Sequence, residues 1–203
     1  GVSGVERFMK HYFLVAKDVG DLTRIFCASL EARQQRSWAS RLPGMSLFTR
    51  EVEGFKVEAG RLNVEVKDHF KMAAAEMLRI FEVAQRHEFD IHPNALHLIT
   101  RNLKRLTRAV QYDTDANELF MRMLISTKGP DITLRRMNEA GVLGKFINDF
   151  GRVVAQMQYD MYHVYTTDEH TIRAIGILSR IEHGRLVDDH PLASEIIHKV
   201  LSR

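Results

Sequence analysis

The chain has 203 residues, of which 45% are hydrophobic and 27% charged, so it has the apolar content of a folded core and disorder is excluded as its general state. Its 29 basic and 26 acidic side chains give a net charge of +3, which is too small and too evenly mixed to indicate a nucleic acid or an anionic membrane as partner. The single cysteine, Cys27, excludes an internal disulfide, and no apolar run approaches the ~18 residues of a membrane span. These features predict a cytoplasmic protein.

Helices are predicted over most of the chain, because 4 prolines and 12 glycines leave long stretches in which apolar residues recur about every 3.6 positions. The fold class is therefore mainly α. After the first predicted helix, the polar stretch 34–44 closes on Pro43-Gly44, which is typical of a linker. The predicted helices cover residues 5–33, 68–86, 93–110, 115–126, 131–140, 152–183 and 192–200.

One stretch departs from the helical period. Within residues 47–66, apolar and charged side chains alternate, as they do in a strand with one buried face. The pairs Glu53-Gly54 and Ala59-Gly60 lie at the spacing of tight turns between short strands. A small β-hairpin or meander inserted into the helical domain is therefore expected.

The densest cluster of polar and aromatic side chains lies at residues 159–170. If the predicted helix is continuous there, His163 and His170 are seven residues apart on one face, and Asp160 lies one turn before His163. Imidazole and carboxylate groups in this arrangement could converge on a metal ion. Two histidines at helical spacing are also common as core or surface groups that bind nothing, and the spacing alone leaves both interpretations open.

Asp113-Thr114-Asp115 is an Asp-x-Asp triplet, the kind of carboxylate pair that holds magnesium against a nucleoside triphosphate. No glycine-rich phosphate loop accompanies it, and it directly precedes a predicted helix. We therefore interpret the triplet as a helix start, with Thr114 or Asp115 as the N-cap.

Three further groups are predicted to be structural. The basic residues between Arg101 and Arg108 are interpreted as a solvated helix face, since no aromatic residue lies among them to stack on bases. Cys27 is expected to be buried among apolar neighbours of the first helix. The histidines expected in loops and caps are His87, His92 and His97.

Two neighbouring stretches carry a resemblance to a known family. They are GVLGKF at residues 141–146 and FGRVVAQMQYDMYHVYTTDEHT at 150–171. Together with Glu6-Arg7-Phe8-Met9, the hairpin around Gly54-Phe55 and Ile91-His92-Pro93, in that order, the chain resembles the bifunctional PII uridylyltransferase/uridylyl-removing enzymes of bacterial nitrogen regulation. The resemblance extends from Val5 to Pro191.

The resemblance implies an internal fragment of a multidomain enzyme with a nucleotidyltransferase domain, a helical middle region, a metal-dependent HD hydrolase domain and two glutamine-sensing ACT domains. It implies that 1–50 is the C-terminal tail of the uridylyltransferase region, 51–165 the helical middle region and 166–203 the start of a truncated HD domain. The family's transferase motif pairs Gly-Ser with Asp-x-Asp. No Gly-Ser occurs here, so Asp113 and Asp115 are not carried over as magnesium ligands.

The parent enzyme is expected to uridylylate PII with UTP and to remove UMP by hydrolysis in response to glutamine, with UTP and glutamine bound outside this segment. His170 matches the first metal ligand of HD hydrolases, which in the parent would hold Mg²⁺ or Mn²⁺. None of the 10 histidines is followed by the aspartate of the family's His-Asp pair, so the segment alone is expected to hold no metal and to be inactive. The alternative is a structural or protein-interaction helical module without catalysis.

Overall fold

The computed structural model describes residues 4–39, 50–156 and 165–201, which are mostly helical, as the sequence predicts. The described residues form one four-stranded sheet, one short 3-10 helix (Leu103–Arg105) and eleven α-helices. The strands are β1 (Arg50–Val52), β2 (Phe55–Glu58), β3 (Arg61–Asn63) and β4 (Asp90–Ile91). The α-helices are α1 (Gly4–Ala39), α2 (His69–Met72), α3 (Glu76–His87), α4 (Pro93–Asn102), α5 (Arg108–Gln111), α6 (Thr114–Leu124), α7 (Pro130–Glu139), α8 (Val142–Phe146), α9 (Asn148–Val153), α10 (Thr167–Glu182) and α11 (Pro191–Leu201).

The sheet contains the predicted meander. Strands β1, β2 and β3 are antiparallel neighbours joined by the two-residue turns Glu53-Gly54 and Ala59-Gly60. All four turn residues have positive φ, between 49° and 79°, which is the backbone of the turn type whose twist matches that of paired strands. The local turn chemistry of the sequence was therefore sufficient to predict these strands.

The fourth strand was not predicted. Strand β4 has only two residues and pairs in parallel with β3, with Ile91 opposite Leu62. The backbone N–H of His92 then donates to the carbonyl of Leu62 at 2.8 Å. Parallel pairing joins segments that are distant along the chain, and a two-residue strand has no measurable alternation, so the sequence pattern carries no signal for it.

Arg79 anchors the first β-turn to α3. Its Nε and Nη2 each donate to the Glu76 carboxylate at 2.6 Å, and its Nη1 donates to the carbonyl oxygen of Glu53 at 2.7 Å. The guanidinium carbon lies 4.6 Å from the centroid of the Phe55 ring, within cation–π range. Burial raises the pKa of Glu76, but hydrogen bonds from Arg79 and His69 outweigh it and hold that pKa below its usual value. The ionised Glu76 carboxylate therefore stabilises the fold at neutral pH, and this stabilisation is lost as the pH falls and Glu76 is protonated.

One apolar core joins the sheet to the helices. It includes Ile172, so the first half of α10 packs against the same cluster as α7 and α3. The largest fully buried side chains are Phe55, Phe70, Phe81, Leu62, Met77, Leu78, Ile80, Ile99, Met123, Leu134, Met137 and Ile172.

Two of the helices predicted in the middle of the chain are shorter than expected. The helix predicted over 68–86 is divided into α2 and α3, and the one predicted over 93–110 ends at Asn102. The Asn102 side chain donates to the carbonyl of Leu98 at 2.8 Å, a side-chain bond of the kind that competes with the helix backbone. Beyond it, Leu106 is buried and Thr107 is extended. The basic residues from Arg101 to Arg108 therefore do not share one helical face, so that part of the interpretation is wrong. Their predicted exposure to solvent is confirmed for Arg101, Lys104 and Arg108.

Helix starts differ from the prediction in detail. The N-cap of α6 is Asp113, whose Oδ1 accepts from the N–H of Ala116 at 2.8 Å, instead of Thr114 or Asp115. His92 is the N-cap of α4, as predicted, and its Nδ1 accepts from the N–H of Asn94 at 3.1 Å. The expected cap or loop position of His97 is wrong, because His97 lies inside α4.

Helix α1 is longer than predicted and extends to Ala39, since no glycine or proline interrupts residues 34–39. The linker predicted from residue 34 is therefore wrong up to residue 39, and Pro43-Gly44 lies outside the described residues. Cys27 is exposed, contrary to the expectation that it is buried. Across the described ranges, no helix combines the length and the apolar content needed to cross a bilayer.

Candidate functional site

His170 lies in the first turn of α10 with its side chain exposed. Its backbone N–H donates to the carbonyl of Thr166 at 2.9 Å, which closes the first turn of the helix. Thr166 has extended backbone angles (φ −66°, ψ 155°) and occupies the N-cap position. The helix that carries His170 therefore begins one turn before it.

The helix predicted over 152–183 is not continuous. Helix α9 ends at Val153, residues 154–156 form a turn and an unpaired segment, and α10 begins at Thr167. The expectation that His163 and His170 share a helical face required a continuous helix, so it no longer follows. Asp160 and His163 lie outside the described residues. The pattern Thr166-x-x-Glu169 is a helix-start signature, and it was the available signal for this break.

Asp168 is a buried carboxylate that connects α10 to two other parts of the fold. Its Oδ2 accepts from Nδ2 of Asn138 in α7 at 2.8 Å, and its Oδ1 accepts from the backbone N–H of Ala155 at 3.1 Å. Ala155 has a positive φ of 56°, so this bond holds a backbone conformation that alanine rarely adopts. The position of Asp168 in the first helical turn also suits its negative charge. Asp168 thus fixes the start of α10.

Glu169 ties the same turn to α7 through a second contact. Its Oε1 accepts from Nε of Arg135 at 3.1 Å and from Nη2 at 2.9 Å, so one carboxylate oxygen receives two bonds from the guanidinium group. This hydrogen bonding raises the pKa of Arg135 above its usual value. Neighbouring side chains in the first turn of α10 are therefore both held by α7.

The chain enters and leaves the segment 157–164 at one place. The backbone N–H of Thr167 donates to the carbonyl of Gln156 at 2.7 Å, and its hydroxyl donates to the same oxygen at 3.1 Å. Gln156 directly precedes that segment, which is outside the described residues, and Thr167 follows shortly after it. The described residues on either side of 157–164 are therefore joined by hydrogen bonds at the turn that carries His170.

The first turn of α10 could supply one ligand of a metal site, the imidazole of His170. Asp168 and Glu169 are already bound by Asn138, Ala155 and Arg135, whereas the imidazole of His170 faces solvent. In the ranges 4–39, 50–156 and 165–201, no group of three or more histidine, cysteine, aspartate or glutamate side chains could hold a metal ion. The described residues do not make a complete metal site, because a stable site needs several converging ligands.

A cavity of about 630 Å³ lies at the other end of α10, beside the start of α7. Its charged lining includes Lys128, Arg180 and Arg185, and two of these cations have acidic neighbours. Lys128 lies 3.1 Å from Glu88, and Arg180 lies 3.9 Å from Asp131. No pattern in the sequence indicated this cavity, since its lining comes from three separate segments.

Gly176 permits α10 to pack closely on α7, and replacing it by alanine is expected to destabilise the fold. A Cβ added at Gly176 would lie 2.5 Å from Cγ and 2.7 Å from Cβ of Asp131. Overpacking of this kind costs roughly 1–3 kcal/mol, and the gain of about 1 kcal/mol in helix propensity offsets part of it. We expect a net loss of about 1 kcal/mol in the free energy of unfolding, measured by urea denaturation.

The matched control is Gly20→Ala, also inside a helix. No atom lies within 4 Å of a Cβ added at Gly20, so this variant gains helix propensity without overpacking and should lose no stability. A gain of stability in Gly176→Ala would contradict the close contact with Asp131.

Comparison with known proteins gives two kinds of match. A family model described as the third domain of uridylyltransferase GlnD matches residues 55–146. The chain is 58% identical over 205 residues to a bifunctional uridylyltransferase/uridylyl-removing enzyme of Azospirillum brasilense, covering 100% of this chain and 22% of that protein. It is 52% identical over 200 residues to the enzyme of the same description from Rhodospirillum rubrum, covering 98% of this chain and 21% of that protein. The chain spans about a fifth of the length of these relatives, and no solved structure matches it.

Proposed function

Since residues 55–146 belong to the family of the third domain of uridylyltransferase GlnD, we propose that this chain is an internal segment of a bifunctional enzyme of nitrogen regulation. The enzyme transfers UMP from UTP to a tyrosine of a PII signal protein and removes it in response to glutamine. The observation that carries this proposal is the 58% identity across 100% of the chain to a protein named for both activities. UTP and glutamine bind elsewhere in the longer protein.

The proposed removal reaction is the hydrolysis of a phosphodiester. Water adds to the phosphorus atom, the bond from phosphorus to the tyrosine oxygen breaks, and the products are UMP and a tyrosine hydroxyl that keeps one proton of the water. A divalent metal, Mg²⁺ or Mn²⁺, is the proposed cofactor, and such an ion lowers the pKa of a bound water and polarises a phosphoryl oxygen. The described residues supply only one ligand for it, so the other ligands would come from elsewhere in the longer protein.

His170 is the proposed ligand, and the described contacts support this role. Asp168 and Glu169 hold the first turn of α10 against α7, which fixes the backbone of the histidine while its imidazole stays exposed. Side chains that bind a metal need such fixed supports, because a loosely held ligand loses affinity. In the proposed division of the chain, 166–203 begins the hydrolase domain, 51–165 is the helical middle region and 1–50 ends the transferase region.

The alternative function is a helical module that binds another protein region without catalysis. The observation in its favour is the row of exposed apolar side chains along α1, which includes Phe8, Leu22 and Phe26. The two functions are compatible if the module belongs to the enzyme, since a segment that joins two catalytic regions also needs surfaces that contact them.

The experiment uses the longer protein that contains this chain, purified and incubated with a PII protein and UTP labelled in its α-phosphate. We expect label to be incorporated into PII and to be released as UMP when glutamine is added. Reactions without PII, and reactions with CTP in place of UTP, are the controls and should show little incorporation. A protein that labels no PII under these conditions, or that never releases the label, would contradict the proposal.

A further inference from the structure

Helix α1 carries a continuous apolar stripe that the described part of the chain leaves open. Eight large apolar side chains recur along it at intervals of three or four residues, and each is between 46% and 67% exposed. At about 100° per residue they lie within a sector of roughly 100° around the helix. This apolar stripe consists of Val5, Phe8, Tyr12, Val15, Val19, Leu22, Phe26 and Leu30.

A different side of α1 contacts the rest of the described fold. Lys10 donates to the carbonyl oxygen of Arg152 at 2.9 Å, and α1 also packs against α4. Met9 and Phe13, on the same side as Lys10, are half-buried. Around the helix axis, these three residues lie roughly 90° to 170° from the centre of the apolar stripe. The stripe therefore faces away from the described elements that α1 contacts.

The extent of the stripe is that of a stable interface. From the exposed fractions of its side chains, the stripe offers on the order of 700 Å² of apolar surface, close to the roughly 800 Å² that each partner buries in an interface of standard size. Patches of this size on a folded domain mark an interaction site. A helix with a ~100° apolar sector is typical of packing into the core of a helical domain, whereas a two-helix coiled coil needs only a narrow seam.

We propose that the apolar stripe of α1 packs against helices of the region that precedes this one in the same longer chain. The match to a third domain begins at residue 55, so α1 lies on the side where earlier domains join. The relatives are about five times longer than this chain, since it covers 22% and 21% of them, so the polypeptide needed to cover the stripe is available without a second protein. Helix α1 is then shared between two domains, with Lys10 on one and the stripe on the other.

The proposal rests on the placement of this chain within a longer uridylyltransferase, and cysteine accessibility in that protein tests it. In a Cys27→Ser background, Leu22→Cys places a thiol in the stripe, where Leu22 is 67% exposed in this structure. Leu14→Cys is the matched control, because Leu14 is also exposed on α1 but lies outside the stripe. Labelling by a maleimide is followed at each site by mass spectrometry of the corresponding peptide, in buffer and in urea.

We expect Leu22→Cys to be labelled at least tenfold more slowly than Leu14→Cys in the native protein, and the two rates to become equal in urea. This protection should not depend on protein concentration. Equal rates in the native protein would overturn the proposal, because the stripe would be open to solvent. Protection that disappears on dilution to the monomer would also overturn it, because a second copy would then be the occupant.

Uridylyl transfer to PII is measured on the same preparations. Transfer without protection of Leu22→Cys contradicts the inference about α1 and leaves the proposed function intact. Protection without transfer supports the packing of α1 and contradicts the proposed function, so the two failures are distinguishable.

Discussion

Replacing His170 by alanine in the longer protein is expected to lower the rate of UMP removal from uridylylated PII by about 100-fold and to leave uridylyl transfer within about twofold of the unchanged protein. The physical reason is that His170 is an exposed imidazole donor at the start of α10, whose neighbours Asp168 and Glu169 are already bound. Loss of one metal ligand lowers metal affinity, whereas the fold loses no buried contact. Both rates are measured with labelled UMP, and metal content is measured by mass spectrometry.

The control is His183→Ala, at the other end of the same helix. His183 is exposed and follows the last residue of α10, so its removal should leave both rates unchanged. Unchanged removal of UMP in His170→Ala would exclude the ligand role. Equal losses of removal and transfer, together with a lower Tm, would show that His170 supports the fold instead.

The parts of the fold that were predictable from sequence are those with local causes. Positive φ at Glu53-Gly54 requires a glycine-containing turn, and the meander follows from two such turns at short spacing. Strand β4 follows from pairing with residues almost thirty positions earlier, and the cap of α6 depends on which of two nearby aspartates reaches the N–H of Ala116. The hydrophobic periodicity of the sequence indicates neither the strand with which β4 pairs nor the aspartate that caps α6.

The candidate site was likewise predictable from the sequence only in part. The motif around His170 was recognisable in the sequence, but the roles of its neighbours were not, because Asp168 is bound by groups that lie 30 and 13 residues away. Sequence reasoning considered only Asp160 as a carboxylate that could approach a metal together with the histidines, and it assigned no role to the other carboxylates of this region. The structure uses the two that precede His170, Asp168 and Glu169, to hold the helix in place, which leaves the histidine as the exposed donor of the turn.

Replacing Asp168 by alanine is expected to lower the free energy of unfolding by about 3 kcal/mol. The substitution removes a buried acceptor and leaves Nδ2 of Asn138 without its bond of 2.8 Å and the N–H of Ala155 without its bond of 3.1 Å. Hydrogen bonds to a charged group contribute roughly 1.5–3 kcal/mol each, and a buried donor left without a partner costs about 1–3 kcal/mol. The loss is measured by urea denaturation, and hydrogen exchange should be fastest relative to the unchanged protein at the start of α10.

Two variants separate the hydrogen bonds from the loss of charge. Asp188→Ala removes an exposed carboxylate and should change stability by no more than about 0.5 kcal/mol. Asp168→Asn keeps one oxygen acceptor and replaces the other oxygen by a donor, so this variant should lose less stability than Asp168→Ala but more than Asp188→Ala.

In the longer protein, Asp168→Asn should lower the rate of UMP removal more than the rate of uridylyl transfer, since a less firmly held α10 misplaces His170. If Asp168→Ala unfolded at the same urea concentration as Asp188→Ala, the buried carboxylate would not be what fixes α10 to α7.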